Sequence, residues 1–325
     1  MRLPESTISR RQGRIMTKCE SLASKLRSFL PTVYKRYGSL NARQYAYRAE
    51  AIGLVKKSQF DYLNRILTDL REEQVLPWSA VLDSSRKFEP YLVRGSENPE
   101  GIVDAYIQQF RGLPTKFDLP LWQYQPVIPV IFTEKEGLIP YFQSITDRQA
   151  ISVYAQRGQV GKSHLHEVVF PWLMNLVNDG KRVRMLYLGD CDDEGFQIPL
   201  TLIETMTRWA GRPVEYNDGD LFPKNPRRKM HRGASITFER LALLPNQVEK
   251  LNLPKDAINP KSMIGKKFVD YKCELEAMDP GMLRALIENA LGQSWHEDAE
   301  GKRKSAVSRM RTVLKQRIDR LTETW

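Results

Sequence analysis

Hydrophobic positions in the first eighty residues recur with helical spacing. Leu22, Leu26, Phe29 and Leu30 share a face of a helix predicted over 17–30. Ser39-Leu40-Asn41 supplies N-cap residues for a helix over 42–52, which Gly53 ends. Phe60, Leu63, Ile66, Leu67 and Leu70 make one stripe of a second helix, 57–73, with Lys57, Arg65 and Arg71 off the stripe. Pro77-Trp78-Ser79-Ala80-Val81-Leu82 then reads as a short extended piece. Two helices and a short β element suit either a winged helix-turn-helix, whose second helix enters a major groove, or a plain helical bundle. Residues 84–122 read as a connector with one helix (101–110) and a Pro-punctuated stretch from 113 to 120.

The pattern changes at about residue 121. Val127-Ile128-Pro129-Val130-Ile131-Phe132-Thr133 is a near-continuous apolar run, as in a strand buried on both faces. A helix is predicted to about Gln143, a second strand over 150–155, a turn at Arg157-Gly158-Gln159, a helix over 163–177 and a third strand over 183–188. Strand and helix alternate with short loops, which predicts an α/β fold: a parallel sheet with helices on both faces. Near the end, Val307, Met310, Leu314, Ile318 and Leu321 form a helical stripe within a strongly basic segment. The chain divides by these patterns into a helical extension (1–38), a mainly helical unit with its connector (39–120), an α/β unit (121–300) and a C-terminal basic helix (301–325).

Side chains at the C-terminal ends of strands in such a sheet face the crevice where ligands bind. Glu134 ends the first strand, and Asp190-Cys191-Asp192-Asp193-Glu194-Gly195 follows the third. Glu134, Asp190 and Asp192 are therefore expected on one edge of the sheet. Two carboxylates spaced Asp-x-Asp desolvate at high cost without a cation, and hard oxygens on a short turn suit Mg²⁺. The alternative is a solvated acidic turn.

Charge extends this picture. Of 325 residues, 50 are Lys or Arg and 39 Asp or Glu, a net charge of +11, which points to a polyanionic partner or to a basic, solubilising surface. Arg157 and Lys162 near a helix start, and Arg227 and Arg228 in a Pro/Gly-bounded basic loop, are candidate phosphate contacts. Gly158-Gln159-Val160-Gly161-Lys162-Ser163 is not a nucleotide-binding P-loop, because Gln156 stands where the first glycine belongs. His164 and His166, two residues apart, should point apart on a helix and not share a metal. Three scattered cysteines offer neither a disulfide framework nor zinc spacing, which fits a reducing cytosol. No apolar run is long enough to span a membrane, and no secretory h-region is present.

Taken together, Glu134-Lys135 and Gly189-Asp190-Cys191-Asp192 resemble the Toprim signature, a glutamate after the first strand and D-x-D after the third. More of the chain, roughly 39 to 291, is similar to the branch that holds the topoisomerase VI A subunit and the meiotic double-strand-break transesterase, with small bacterial, mobile-element and defence relatives. Arg43-Gln44-Tyr45-Ala46-Tyr47 matches its arginine-to-tyrosine motif, with Ala46 where an aromatic is usual, so Tyr45 and Tyr47 compete for the nucleophile's place. Segments 121–126, 240–245 and 274–280 also look like that branch. The resemblance implies a winged-helix (CAP-like) DNA-binding domain before a Toprim domain, and cleavage of DNA with Mg²⁺ or Mn²⁺ held by Glu134, Asp190 and Asp192. Glu194 or Glu276 would add a ligand. Tyr47, aided by Arg43, would form a 5′-phosphotyrosyl link, in a homodimer where one chain's tyrosine meets the other's acids. Arg65, Arg157, Lys162, Arg227 and Arg228 would contact DNA. It leaves open hydrolysis by metal-activated water, as in the Wadjet nuclease subunit, and a non-catalytic DNA-binding role beside a separate ATPase subunit. A cytoplasmic, nucleoid-associated protein is the matching expectation.

Overall fold

The computed structural model describes residues 6–82, 98–155, 164–211, 215–217, 235–257 and 268–322. The N-terminal unit is helical: α1 (Ser6–Tyr37), α2 (Ala42–Ala51) and α3 (Phe60–Glu72). Asn41 and Gln44 cap α2 reciprocally: the Asn41 side chain accepts the Gln44 N–H at 2.8 Å, and the Gln44 side chain accepts the Asn41 N–H at 2.9 Å. The α3 stripe is buried as expected, Leu63, Ile66, Leu67 and Leu70 each at 5% exposure or less. A bridge between Leu40 and Val81 closes the unit, with the Leu40 N–H donating to Ala80 O and the Leu82 N–H to Leu40 O. Among the described residues this bridge is the unit's only β pairing. Helices α4 (Pro99–Arg111) and α5 (Leu113–Lys116) form the connector.

Five strands build the central sheet: β1 (Val127–Thr133), β2 (Val153–Ala155), β3 (Arg182–Leu188), β4 (Glu215–Asn217) and β5 (Ile236–Ala242). Their order is β2-β1-β3-β5-β4, and every pairing is parallel. Connecting helices are α6 (Ile139–Thr146), α7 (Phe170–Asn178), α8 (Asp193–Ala210) and α9 (Pro245–Lys250), followed by α10 (Pro280–Gly292) and α11 (Glu297–Thr322). Strand alternation sorts the core into two layers. Val130, Phe132, Met185, Tyr187 and Phe238 pack against Leu173 of α7 and Met206 of α8. Ile131, Leu186 and Leu188 face the other way, in one continuous core with Phe142, Ile287 and the helical unit's Leu30, Tyr45 and Leu67.

Several expectations shift. The helix expected over 17–30 is the 32-residue α1, which carries Pro31 inside it. The second strand begins at Val153, because a 3₁₀ turn at Asp147–Gln149 ends at Ala150 in the left-handed region (φ 52°). The helix expected from 163 opens as a π turn, Leu165–Val169, before α7. In the C-terminal helix Val307 and Ile318 are buried but Met310 and Leu321 are about half exposed. The first half of the helix meets the core with Ala299, Arg303, Ala306 and Val307, whereas in the second half Ile318 alone of the expected stripe is buried. His164 stacks on Tyr154 and His166 meets Trp209 edge-on, so the two do point apart. Among the described residues no helix is long and apolar enough to cross a membrane.

Candidate functional site

β1 and β3 pair in register from Val127 opposite Arg182 to Thr133 opposite Leu188. The next residues of each strand, Glu134 and Gly189, therefore leave the sheet side by side, and Asp190 follows at once. The Glu134 Oε1 accepts the Asp190 N–H at 2.5 Å. This approach requires glycine on both sides of the acidic turn. A Cβ on Gly189 would stand 2.5 Å from the Tyr187 hydroxyl and 2.9 Å from Glu134 Oε1, and one on Gly195 would run into the Asp190 carbonyl oxygen. Asp192 caps α8, its Oδ1 accepting the Gly195 N–H at 2.8 Å, and so fixes the turn's exit.

Arg240, buried within β5, holds the turn from beneath. Its guanidinium donates to the carbonyl oxygens of Gly195 (2.6 Å), Asp190 (2.5 Å), Gly189 (3.4 Å) and Leu243 (3.1 Å). It also stacks on Phe196, 4.0 Å from the ring centroid. A buried cation is tolerated here because its donors meet carbonyl dipoles and its face meets aromatic rings.

A third segment completes the cluster. Cys191 and Cys273 form an antiparallel bridge, exchanging N–H···O bonds of 2.8 and 3.1 Å, which brings Glu274 and Glu276 beside Asp190. The Asp190 Oδ1 accepts the Leu275 N–H at 2.8 Å. Lys135 lies among these acids, its Nζ 2.7 Å from Asp190, 3.3 Å from Glu276 and 4.0 Å from Glu274. Lys272 approaches Asp192 at 3.6 Å. Burial, and then the nearby Asp190 charge, push the Glu134 carboxyl up to about 7. Burial also raises Asp190, against the pull of Lys135, and raises Glu276.

The structure thus brings Glu134, Asp190 and Asp192 to one edge. Glu194 is exposed on the first turn of α8, while Glu276, 4% exposed, lies inside the cluster. Among the described residues no three His, Cys, Asp or Glu side chains stand in ready ligand geometry for a metal ion. The donor set is nevertheless all oxygen, and burial first, then the Asp190 charge, makes an unneutralised Glu134 carboxylate costly here. In donor chemistry the residues fit a hard divalent cation, with Lys135 standing among them.

Helix α2 flanks this edge. Arg43 pairs with Glu274 at 2.9 Å, and Arg48 donates to Ala277 O and pairs with Asp279. Tyr45 is fully buried and donates to Ala80 O at 3.2 Å, a contact within the helical unit. Tyr47, 3% exposed, meets Phe60 edge-on at 5.2 Å and borders a cavity of about 430 Å³ with Arg48, Glu50, Leu253, Ala277 and Asp279. Burial, and then the Glu274 charge, push the Tyr47 hydroxyl well above the usual tyrosine range. Arg65 is exposed on α3, one turn from Asp61 and from Asp69, so its face is mixed in charge. Arg157, Lys162, Arg227 and Arg228 lie outside the described residues.

Lys135, Glu274 and Arg240 escaped the reading from sequence as parts of the site, whereas Glu276 was named. Lys135 follows Glu134 directly, and Glu274-x-Glu276 repeats the spacing of Asp190-x-Asp192; both signals were legible. A lone arginine inside the apolar run of β5 marks Arg240. Comparison of the chain with protein-family models, with curated proteins and with solved structures found no match.

Proposed function

We propose that this chain is a Mg²⁺-dependent DNA-cleaving enzyme with Glu134, Asp190 and Asp192 as its metal-binding acids. One observation carries the reading. Carboxylates from three distant segments, Glu134, Asp190 with Asp192, and Glu274 with Glu276, converge at the C-terminal edge of a parallel sheet. A solvated acidic turn would spread such charges toward water; here they are gathered and largely buried. The +11 net charge supports a polyanionic substrate, and the Toprim resemblance supports the same assignment.

Bound at these acids, Mg²⁺ or Mn²⁺ would supply charge neutralisation at a phosphate. The chain's own residues do the rest. Glu134, raised by burial in the metal-free chain, would give up its proton to serve as a ligand. Arg240 and the two glycines keep the acidic turn in place. Tyr47 would attack phosphorus, the bond to the 3′ oxygen would break and leave a 3′ hydroxyl, and the cut strand would stay on the chain as a 5′-phosphotyrosyl ester. It needs help to ionise, and Arg43 pairs with Glu274 in the single chain. In a homodimer, one chain's Tyr47 would meet the other's acids. A second reading is favoured by Tyr47's burial against Phe60: hydrolysis, with water as nucleophile at the same acids. Non-catalytic DNA binding beside a separate ATPase subunit is the outcome if no cutting occurs.

The test is cleavage of supercoiled plasmid with Mg²⁺ or Mn²⁺, stopped with detergent, with and without protease. Asp190→Ala must abolish cutting and leave DNA binding. Ends carrying protein that protease removes support Tyr47, and Tyr47→Phe must then be inactive; protein-free ends support hydrolysis. Cleavage unchanged in Asp190→Ala overturns the assignment.

A further inference from the structure

We infer that Lys135 is a built-in counter-ion that holds the place of the divalent cation, so that metal binding and the Lys135 ion pairs exclude one another. This rests on the metal-site reading above and goes beyond it. Three features of the geometry lead there. Lys135 is 17% exposed in its side chain, yet its ammonium reaches acids of two different segments, Asp190 at 2.7 Å and Glu276 at 3.3 Å, with Glu274 at 4.0 Å. Asp190 is fully engaged: its Oδ1 accepts the Leu275 N–H and its Oδ2 faces Lys135. The Glu276 Oε2, inside the protein, accepts no hydrogen bond and has the Lys135 ammonium beside it.

A cation that takes Asp190 Oδ2 competes with Lys135 Nζ, which already stands 2.7 Å from that oxygen. Two like charges within a few ångströms repel strongly in a partly buried site. The lysine has a flexible four-carbon stem and can swing outward. Released, its ammonium would be free to meet a phosphate of the substrate. Lys135 thus does two jobs in turn: it neutralises the acids of the metal-free protein, and it is freed toward substrate when the metal enters.

The experiment is calorimetric titration of Mn²⁺ into the full chain, wild type against Lys135→Met, with thermal unfolding in chelator and in Mn²⁺. Lys304→Met, on the exposed face of α11, controls for loss of a positive charge. Lys135→Met should bind Mn²⁺ about tenfold more tightly or better. It should melt lower in chelator and gain more from Mn²⁺ than wild type, while Lys304→Met tracks wild type. Wild type binding Mn²⁺ with Lys135→Met no tighter overturns the inference and leaves the metal reading standing. No Mn²⁺ binding by either protein overturns both. If Lys135→Met does not fold, Glu276→Gln is compared with Lys135→Met/Glu276→Gln: tighter Mn²⁺ binding by the double variant supports the inference, and equal or weaker binding overturns it.

Discussion

Replacing Glu134 by Gln isolates the strain stored in the acidic cluster. The amide keeps an oxygen that accepts the Asp190 N–H, now at 2.5 Å, and removes the charge. In the wild type, burial and the Asp190 charge lift the Glu134 carboxyl from 4.5 to about 7. Between those values the folded chain keeps a proton that the unfolded chain has released. Stability therefore falls as pH rises from 4.5 through 7 and is level on this account above it. At 1.36 kcal/mol per pH unit the loss is about 3 kcal/mol. Asp190 and Glu276 are raised in the same direction, so the difference between the two proteins, not the wild-type curve, reports on Glu134. In chelator, Glu134→Gln should match wild type at pH 4 and exceed it at pH 8 by up to about 3 kcal/mol, or roughly 4–5 °C in Tm. Mn²⁺ should then stabilise wild type more than the variant. Urea or thermal unfolding across that pH range measures both. A stability difference that does not change between pH 4 and pH 8 would refute the account.

Arg240→Met removes the donors that four carbonyl oxygens share, and it should cost about 3 kcal/mol or more in urea unfolding, since bonds to charged donors contribute roughly 1.5–3 kcal/mol each; a cost below about 1 kcal/mol would show that the turn holds itself. Gly195→Ala should lower both stability and Mn²⁺ affinity, because its Cβ has no space beside the Asp190 carbonyl; unchanged titration and melting would contradict the close approach. Tyr45→Phe loses the bond to Ala80 O and should cost about 1 kcal/mol of stability, whereas Tyr47→Phe should leave stability nearly unchanged; a melting curve for each, beside the plasmid assay, separates packing from chemistry.

The sheet was legible where apolar runs were long. β1 and β3 are seven residues each and buried throughout most of their length, and their C-terminal acids follow from the strand ends alone. β5 was missed because Glu239 and Arg240 interrupt its apolar run; both are tied down by partners that only the fold supplies, Arg184 for Glu239 and the turn carbonyls for Arg240. β2 was read over 150–155 and is shorter, Val153–Ala155, while the three-residue β4 is too short to carry a period. Of the site, Glu134, Asp190 and Asp192 could be read because each directly ends or follows a strong strand. Glu276 was named from the resemblance, and Glu274-x-Glu276 repeats the spacing of Asp190-x-Asp192, but the backbone bridge from Cys273 to Cys191 that carries both to the site follows from no linear pattern. Glu194, adjacent to the acids in sequence, is turned outward because the helix that Asp192 caps begins there.

The Cys191–Cys273 bridge also sets when the cluster can exist. Glu134 and Glu276 are separated by about 140 residues, and a ribosome adding 5–20 residues per second takes roughly 7–30 s to cover that distance. In the later part of that interval, once Asp190 has been made, β1 and β3 can already be paired, with Glu134 and Asp190 side by side. The segment that brings Glu274 and Glu276 to Lys135 has not yet been made. The assembled constellation is therefore a property of the finished chain, and no nascent fragment that stops short of residue 276 carries it.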